Sequence, residues 1–221
     1  MYISETNEEG IEMTDIEYEL INSSINQELF IKDMLDDLEK VDFYTAEHCR
    51  RVGKMTDILC EYLGEGYFVK IKAHIASYVH DIGKIAVPKK LLIKIGEVTD
   101  DEWTVIRSHP LVGYSMLKDK QYHELAKIVL YHHERWDGKG YYELDNIDIP
   151  TESRIIAVCD SIDAMITRRA YRDPLSLEMC KKEISVNSGK MYEPRVAEAA
   201  LQIFDELTSI HSNMILSVVN E

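Results

Sequence analysis

The sequence predicts an all-α protein. Apolar residues recur at helical spacing along most of the chain, Gly and Pro fall between those stretches, and no run shows the alternation of a half-buried strand. Leu29, Phe30, Met34, Leu35, Leu38 and Val41 form one apolar stripe. Val52, Met55, Ile58, Leu59, Tyr62 and Leu63 form a second, which Gly64 and Gly66 terminate. Thr99 with Glu102 makes a capping box ahead of Trp103, Val105 and Ile106. Leu125, Ile128, Val129 and His132 share the next stripe, so an imidazole points inward at its end. Pro150 precedes the helix that carries Asp160, and Pro174 separates it from its successor. Pro194 opens a last amphipathic segment through Val196, Ala200, Ile203, Phe204 and Leu207.

A chain of 221 residues buries one sizeable core. We divide it into an acidic amino-terminal segment with a helical extension, residues 1–40, and a main domain, residues 41–221. The first ten residues are candidates for disorder. Residues 11–40 carry an apolar face without a chemical motif, which reads as a packing helix over the core. The alternative is a dimerisation or signal-input helix, with a homodimer or a signalling protein as partner. A net charge of −15 argues against binding a DNA or RNA polymer or an anionic membrane, because such partners reward a basic face. Cys49, Cys60, Cys159 and Cys180 lack metal-ribbon or disulfide-framework spacing and read as free, buried thiols. The acidic start is unlike a signal peptide, and no apolar run approaches the roughly 18 residues of a membrane span, so the expected location is the cytoplasm.

The chemistry gathers around His80 and Asp81 in YVHDIGKIAVP, where imidazole and carboxylate leave the chain side by side. His48, His109, His132, His133 and Asp160 follow at intervals of roughly a helical hairpin, each in or beside an apolar segment. A lone carboxylate among Ile155, Ile156, Val158 and Ile162 would be costly to bury, and a shared cation relieves that cost. Five histidines and two aspartates without thiolate suit iron, manganese or zinc. Seven ligands exceed what one ion needs, so we infer two divalent ions bridged by Asp81.

These motifs carry a family resemblance. From about Asp42 to Leu207 the chain resembles the HD-GYP subgroup of the HD phosphohydrolases, through YTAEHCRRV, HDIGKIAVP, the DDEW and SHP pair, HHERWDGKGYY and IIAVCDSIDAMITRRAYRDPLS. The resemblance implies an HD-domain helical bundle with a metal centre in its core. It also implies metal ligands at His48, His80, Asp81, His109, His132, His133 and Asp160, and Lys84 beside the scissile phosphate. The implied reaction is hydrolysis of cyclic di-GMP, with linear pGpG as the expected product and a second cleavage to GMP left open. Where the subgroup reads Gly-Tyr-Pro this chain reads Gly140-Tyr141-Tyr142, and losing Pro is expected to relax that loop. Tyr44 stands where some members place a glutamate for a third metal, which favours a centre of two ions, iron or manganese with zinc as the alternative.

In this scheme His48, His80, Asp81 and Asp160 surround one ion, and Asp81, His109, His132 and His133 the other. A hydroxide between them attacks phosphorus while Lys84 serves the phosphate or the leaving oxygen. Glu134, Asp137 and Asp163 are expected to accept from the outer nitrogens of the histidines. Arg169 and Arg172 share a helical face suited to the second phosphate, and Tyr141 either stacks a guanine or simply packs. Lys84, Arg135, Lys139, Arg168, Arg169 and Arg172 supply positive charge near the motifs. Two other classes remain open: a cyclic-dinucleotide sensor or adaptor without turnover, suggested by Tyr142, and a di-iron oxygenase.

Overall fold

The computed structural model describes residues 15–118, 122–168 and 173–219; the expected phosphate pair Arg169 and Arg172, and the ten residues expected to be disordered, lie outside them. Eleven α-helices follow one another among the described residues: α1 (Asp15–Val41), α2 (Phe43–Tyr62), α3 (Tyr67–Val79), α4 (Lys89–Leu92), α5 (Asp100–Arg107), α6 (His109–Leu117), α7 (His123–Leu130), α8 (Thr151–Ile166), α9 (Leu177–Val186), α10 (Pro194–Gln202) and α11 (Phe204–Val219). An isolated bridge between Ser188 and Tyr192 is the extent of β pairing there. The all-α expectation holds.

The punctuation works as its chemistry requires. Asp42 opens α2 by accepting from Tyr44 N–H and from the Thr45 hydroxyl. Gly64, at φ 67°, closes α2, with Glu65 N–H reaching back to Cys60 and Gly64 N–H to Glu61. The Thr99–Glu102 capping box is formed in both directions. Pro150 caps α8 and Pro194 occupies the first turn of α10.

Helix α2 is the central member, packed on α1, α3, α8 and α11. Its buried face, Cys49, Val52, Met55 and Leu59, meets Ile155, Ile156, Val158 and Ile162 within one continuous core. Helix α1 joins that core through Ile31, Leu35 and Leu38. Here the expected stripe needs correcting: Leu29 is exposed and Ile31 buried, because the face that meets α2 and α3 follows the i, i+4, i+7 row from Ile31. The last expected segment also divides. At Ile203 (φ −107°, ψ 22°) the backbone leaves helical geometry, so Val196 and Ala200 are buried from α10 and Phe204 and Leu207 from α11. Among the described residues no helix is long and apolar enough to cross a membrane.

Candidate metal centre

Three of the five motif histidines sit where a helix runs out. His80 follows α3, while His109 and His132 each lie two residues past the ends of α5 and α7. The last carbonyls of a helix have no partner within it. Each imidazole supplies one: Nδ1–H of His80 donates to Ser77 O (2.7 Å), that of His109 to Ile106 O (2.8 Å) and that of His132 to Val129 O (2.6 Å). The same bond fixes the tautomer, leaving Nε2 as a lone pair aimed inward. Three imidazole nitrogens without protons thereby gather beside Asp81, an arrangement that favours a cation.

His48, from α2, is clamped by α8. Asp163 and Asp160, three residues apart on one face of α8, flank it, Asp163 Oδ2 bonded at 2.7 Å to Nδ1 and Asp160 Oδ1 lying 3.0 Å from Nε2. Asp163 is itself held by a fork from Arg51, at 2.6 and 3.0 Å. Asp81 stands between two groups of histidines. Its Oδ2 lies 3.8 Å from His48 Nε2 and 3.5 Å from His80 Nε2; its Oδ1 lies 3.1 Å from His109 Nε2 and 4.0 Å from His132 Nε2. His48, His80 and Asp81 form one compact donor set, and Asp81, His109, His132 and His133 form another. Asp160 reaches toward both halves, with Oδ2 at 3.9 Å from His133 Nδ1. All seven expected residues are therefore brought together.

The donors fit metal ions on their own chemistry. His48 Nε2, His80 Nε2 and Asp81 Oδ1 are buried without an aligned hydrogen bond among the described residues, a costly condition that a cation relieves. His109 Nε2 and His132 Nε2 face each other at 3.3 Å although both rings donate from Nδ1 elsewhere, so two lone pairs oppose unless something positive lies between them. Electrostatics divides the centre. Burial disfavours a charged His48, yet Asp160 and Asp163 outweigh it and lift the imidazole to about 9. Burial and then the neighbouring His133, His80 and His109 hold His132 well below the usual histidine range, and burial brings His133 to about 3. Burial also opposes a charged Asp81, but Lys84, His80 and His109 hold its carboxyl well below the ordinary value.

Lys84 reaches Asp81 because the turn Ile82–Ala86 is 3-10, in which residues three apart eclipse; its Nζ lies 2.5 Å from Asp81 Oδ2. Gly83 in that turn has no alternative. A Cβ there would stand 1.9 Å from His109 O, so only glycine lets the segment bearing His80 and Asp81 press against α6. Tyr141 packs on His133, ring centroids 4.8 Å apart, at the edge of a cleft of about 330 Å³.

Two expectations for the outer residues need correction. Asp163 does accept from a histidine, but Glu134 and Asp137 do not. Asp137 is engaged by Arg135, and buried Glu134 accepts from Tyr142 N–H (2.7 Å) and Leu144 N–H (2.9 Å). At the position of the missing Pro, Tyr142 contributes a backbone donor that Pro lacks. Gly140 lets Glu134 approach, since a Cβ would meet Glu134 Cα at 2.5 Å. The four cysteines are buried and free, as expected, and Tyr44 is exposed. The sequence reading missed Arg51, three residues after His48, and Arg107, four after Trp103; helical spacing from a motif residue is the signal that could have found both.

Comparison with known proteins agrees with this geometry. Over 174 residues the chain is 38% identical to a cyclic di-GMP phosphodiesterase of Thermotoga maritima, a match covering 77% of this chain and 47% of that protein. It is 33% identical over 174 residues to 3'3'-cGAMP-specific phosphodiesterase 2 of Vibrio cholerae, covering 77% and 33%. The chain thus spans half or less of the length of these curated relatives. In fold it is similar to an HDG"Y"P protein from Bdellovibrio bacteriovorus, with TM-score 0.61, 17% identity, and coverage of 72% of this chain and 52% of that one. The HD-GYP resemblance read from the motifs is in keeping with these relatives. The HD domain model matches residues 32–196, a span that contains all seven converging side chains, and the chain belongs to the HD domain family.

Proposed function

We propose that this protein is a metal-dependent phosphodiesterase that opens cyclic di-GMP to linear pGpG, with GMP as the product of a second cleavage. The observation that carries the reading is Asp81, which presents one oxygen to each of two histidine groups beside a cleft lined by cations. Relatives named for cyclic di-GMP and for 3'3'-cGAMP support a cyclic dinucleotide as the substrate class.

Two divalent ions held there, iron or manganese with zinc as the alternative, would neutralise phosphate oxygens and make a water acidic enough to supply a nucleophile at neutral pH. The chain's own residues do the rest. His48, His80, Asp81 and Asp160 would hold one ion, and Asp81, His109, His132 and His133 the other. Asp163 and Arg51 fix the ring of His48, while the carbonyls of Ser77, Ile106 and Val129 fix three more. Lys84, beside Asp81, donates to a phosphate oxygen or gives a proton to the leaving oxygen. Tyr141, packed on His133 at the edge of the cleft, places an aromatic ring where a base can meet it.

The test is anaerobic purification with metal analysis, then incubation with cyclic di-GMP and chromatography of the products. About two equivalents of metal and formation of pGpG are expected. A metal-loaded protein that leaves both cyclic di-GMP and 3'3'-cGAMP intact overturns the reading, and tight binding without turnover would mark a sensor.

A further inference from the structure

A cyclic dinucleotide carries two phosphates, and the proposed chemistry acts on one of them. Arg169 and Arg172, the pair expected at the other, lie outside the described residues; within them the candidate is a cation that is not already engaged by a carboxylate, in a chain whose net charge is −15. Near the centre Arg51 is held by Asp163, and Arg135 forks onto Asp137 at 2.9 and 2.7 Å. Arg107 and Lys139 line the same cleft as His133, Tyr141 and Asp160, and among the described residues neither side chain has an ion-pair partner.

Arg107 is also the better placed of the two. It is the last residue of α5, two before His109, and its guanidinium lies 5.2 Å from the centroid of the Tyr141 ring and 5.8 Å from that of Trp103. Trp103 stands four residues earlier on the same helical face, so one ring contact is local and the other crosses to the loop. Tyr141 packs in turn on His133. The series Arg107, Tyr141, His133 therefore runs from the rim of the cleft to the centre. Stacked guanidinium keeps its N–H edge available in a fixed plane, the form in which arginine grips phosphate through paired hydrogen bonds.

We propose that Arg107, assisted by Lys139, binds the phosphate of the cyclic dinucleotide that is not being cleaved. This inference rests on the phosphodiesterase reading above. It assigns Arg107 to substrate binding, whereas a merely structural Arg107 would only tie the loop at Tyr141 to α5.

The two roles separate with substrates that differ in phosphate number. Arg107→Gln and Arg107→Lys should be compared with the unaltered protein on cyclic di-GMP and on bis(4-nitrophenyl) phosphate, which has a single phosphate. For Arg107→Gln, KM for cyclic di-GMP should rise about 10- to 100-fold with kcat within about threefold, the loss anticipated for a charged hydrogen-bond donor. Metal content and turnover of bis(4-nitrophenyl) phosphate should not change, and Arg107→Lys should recover part of the KM. Calorimetric affinity for a phosphorothioate analogue of cyclic di-GMP should fall in parallel with the rise in KM. An unchanged KM and affinity, or an equal loss on both substrates, overturns the assignment. If the unaltered protein hydrolyses bis(4-nitrophenyl) phosphate but no cyclic dinucleotide, the cyclic-dinucleotide reading itself fails and this inference goes with it.

Discussion

The metal centre and the loop at its rim are fixed by different kinds of contact. At the centre, His80, His109 and His132 each bond a carbonyl three residues back in their own chain, so the direction of the ring follows from where a helix ends. Around the rim, Glu134 holds Tyr142 and Leu144, while Trp136 N–H and Asp137 N–H reach Met191 O and Lys190 O more than 50 positions away. The difference teaches which charges are usable. Sequence proximity to a motif marks the side chains that come together, yet it misjudges the cations: Arg135 lies on Asp137, and exposed Arg168 lies 3.7 Å from Asp173. Arg107, outside that expected group, is the one stacked at the cleft.

Substitutions should respect this division. The largest effect is expected from Asp81→Ala, which removes the carboxylate common to both donor sets: both ions should be lost, and turnover should fall by roughly 1,000-fold or more. Metal analysis that finds one ion still bound would break the shared-carboxylate account. Lys84→Ala should lower kcat by about 100-fold, as for the loss of one donor to developing charge, with metal content unchanged. Equal metal loss in Lys84→Ala and Asp81→Ala would remove Lys84 from the chemistry. Asp163→Ala leaves His48 without its outer acceptor and should weaken metal affinity about 10- to 100-fold, measured by competition with a chelator. A smaller effect belongs to the rim. Tyr142→Pro deletes a donor to buried Glu134 and should lower stability to urea by about 1–2 kcal/mol while metal remains bound. A variant made more stable and faster by that Pro would show that the hydrogen bond does not anchor the loop.

Much of this was legible without coordinates, for a physical reason that particular residues make plain. The capping box at Thr99 and Glu102, the glycine end of α2 and the proline starts of α8 and α10 are events within four or five residues, where a side chain meets its own backbone. The place of Asp160 among isoleucines likewise announced an ionic partner before any partner could be seen. The stripe of α1 was harder, since Leu29 and Ile31 are equally apolar and only the position of α2 and α3 decides which one is covered.

The sequence by itself therefore determined the helical class, the seven donors and the chemistry they suit, because periodicity, caps and residue type are local properties. Tertiary structure alone decided that each oxygen of Asp81 faces a different histidine group. It decided that Tyr142 replaces the missing Pro with a hydrogen bond, and that Arg107 rather than Arg135 is available at the cleft. Such facts depend on which carboxylate folds back against which cation, and chain spacing does not encode that distance.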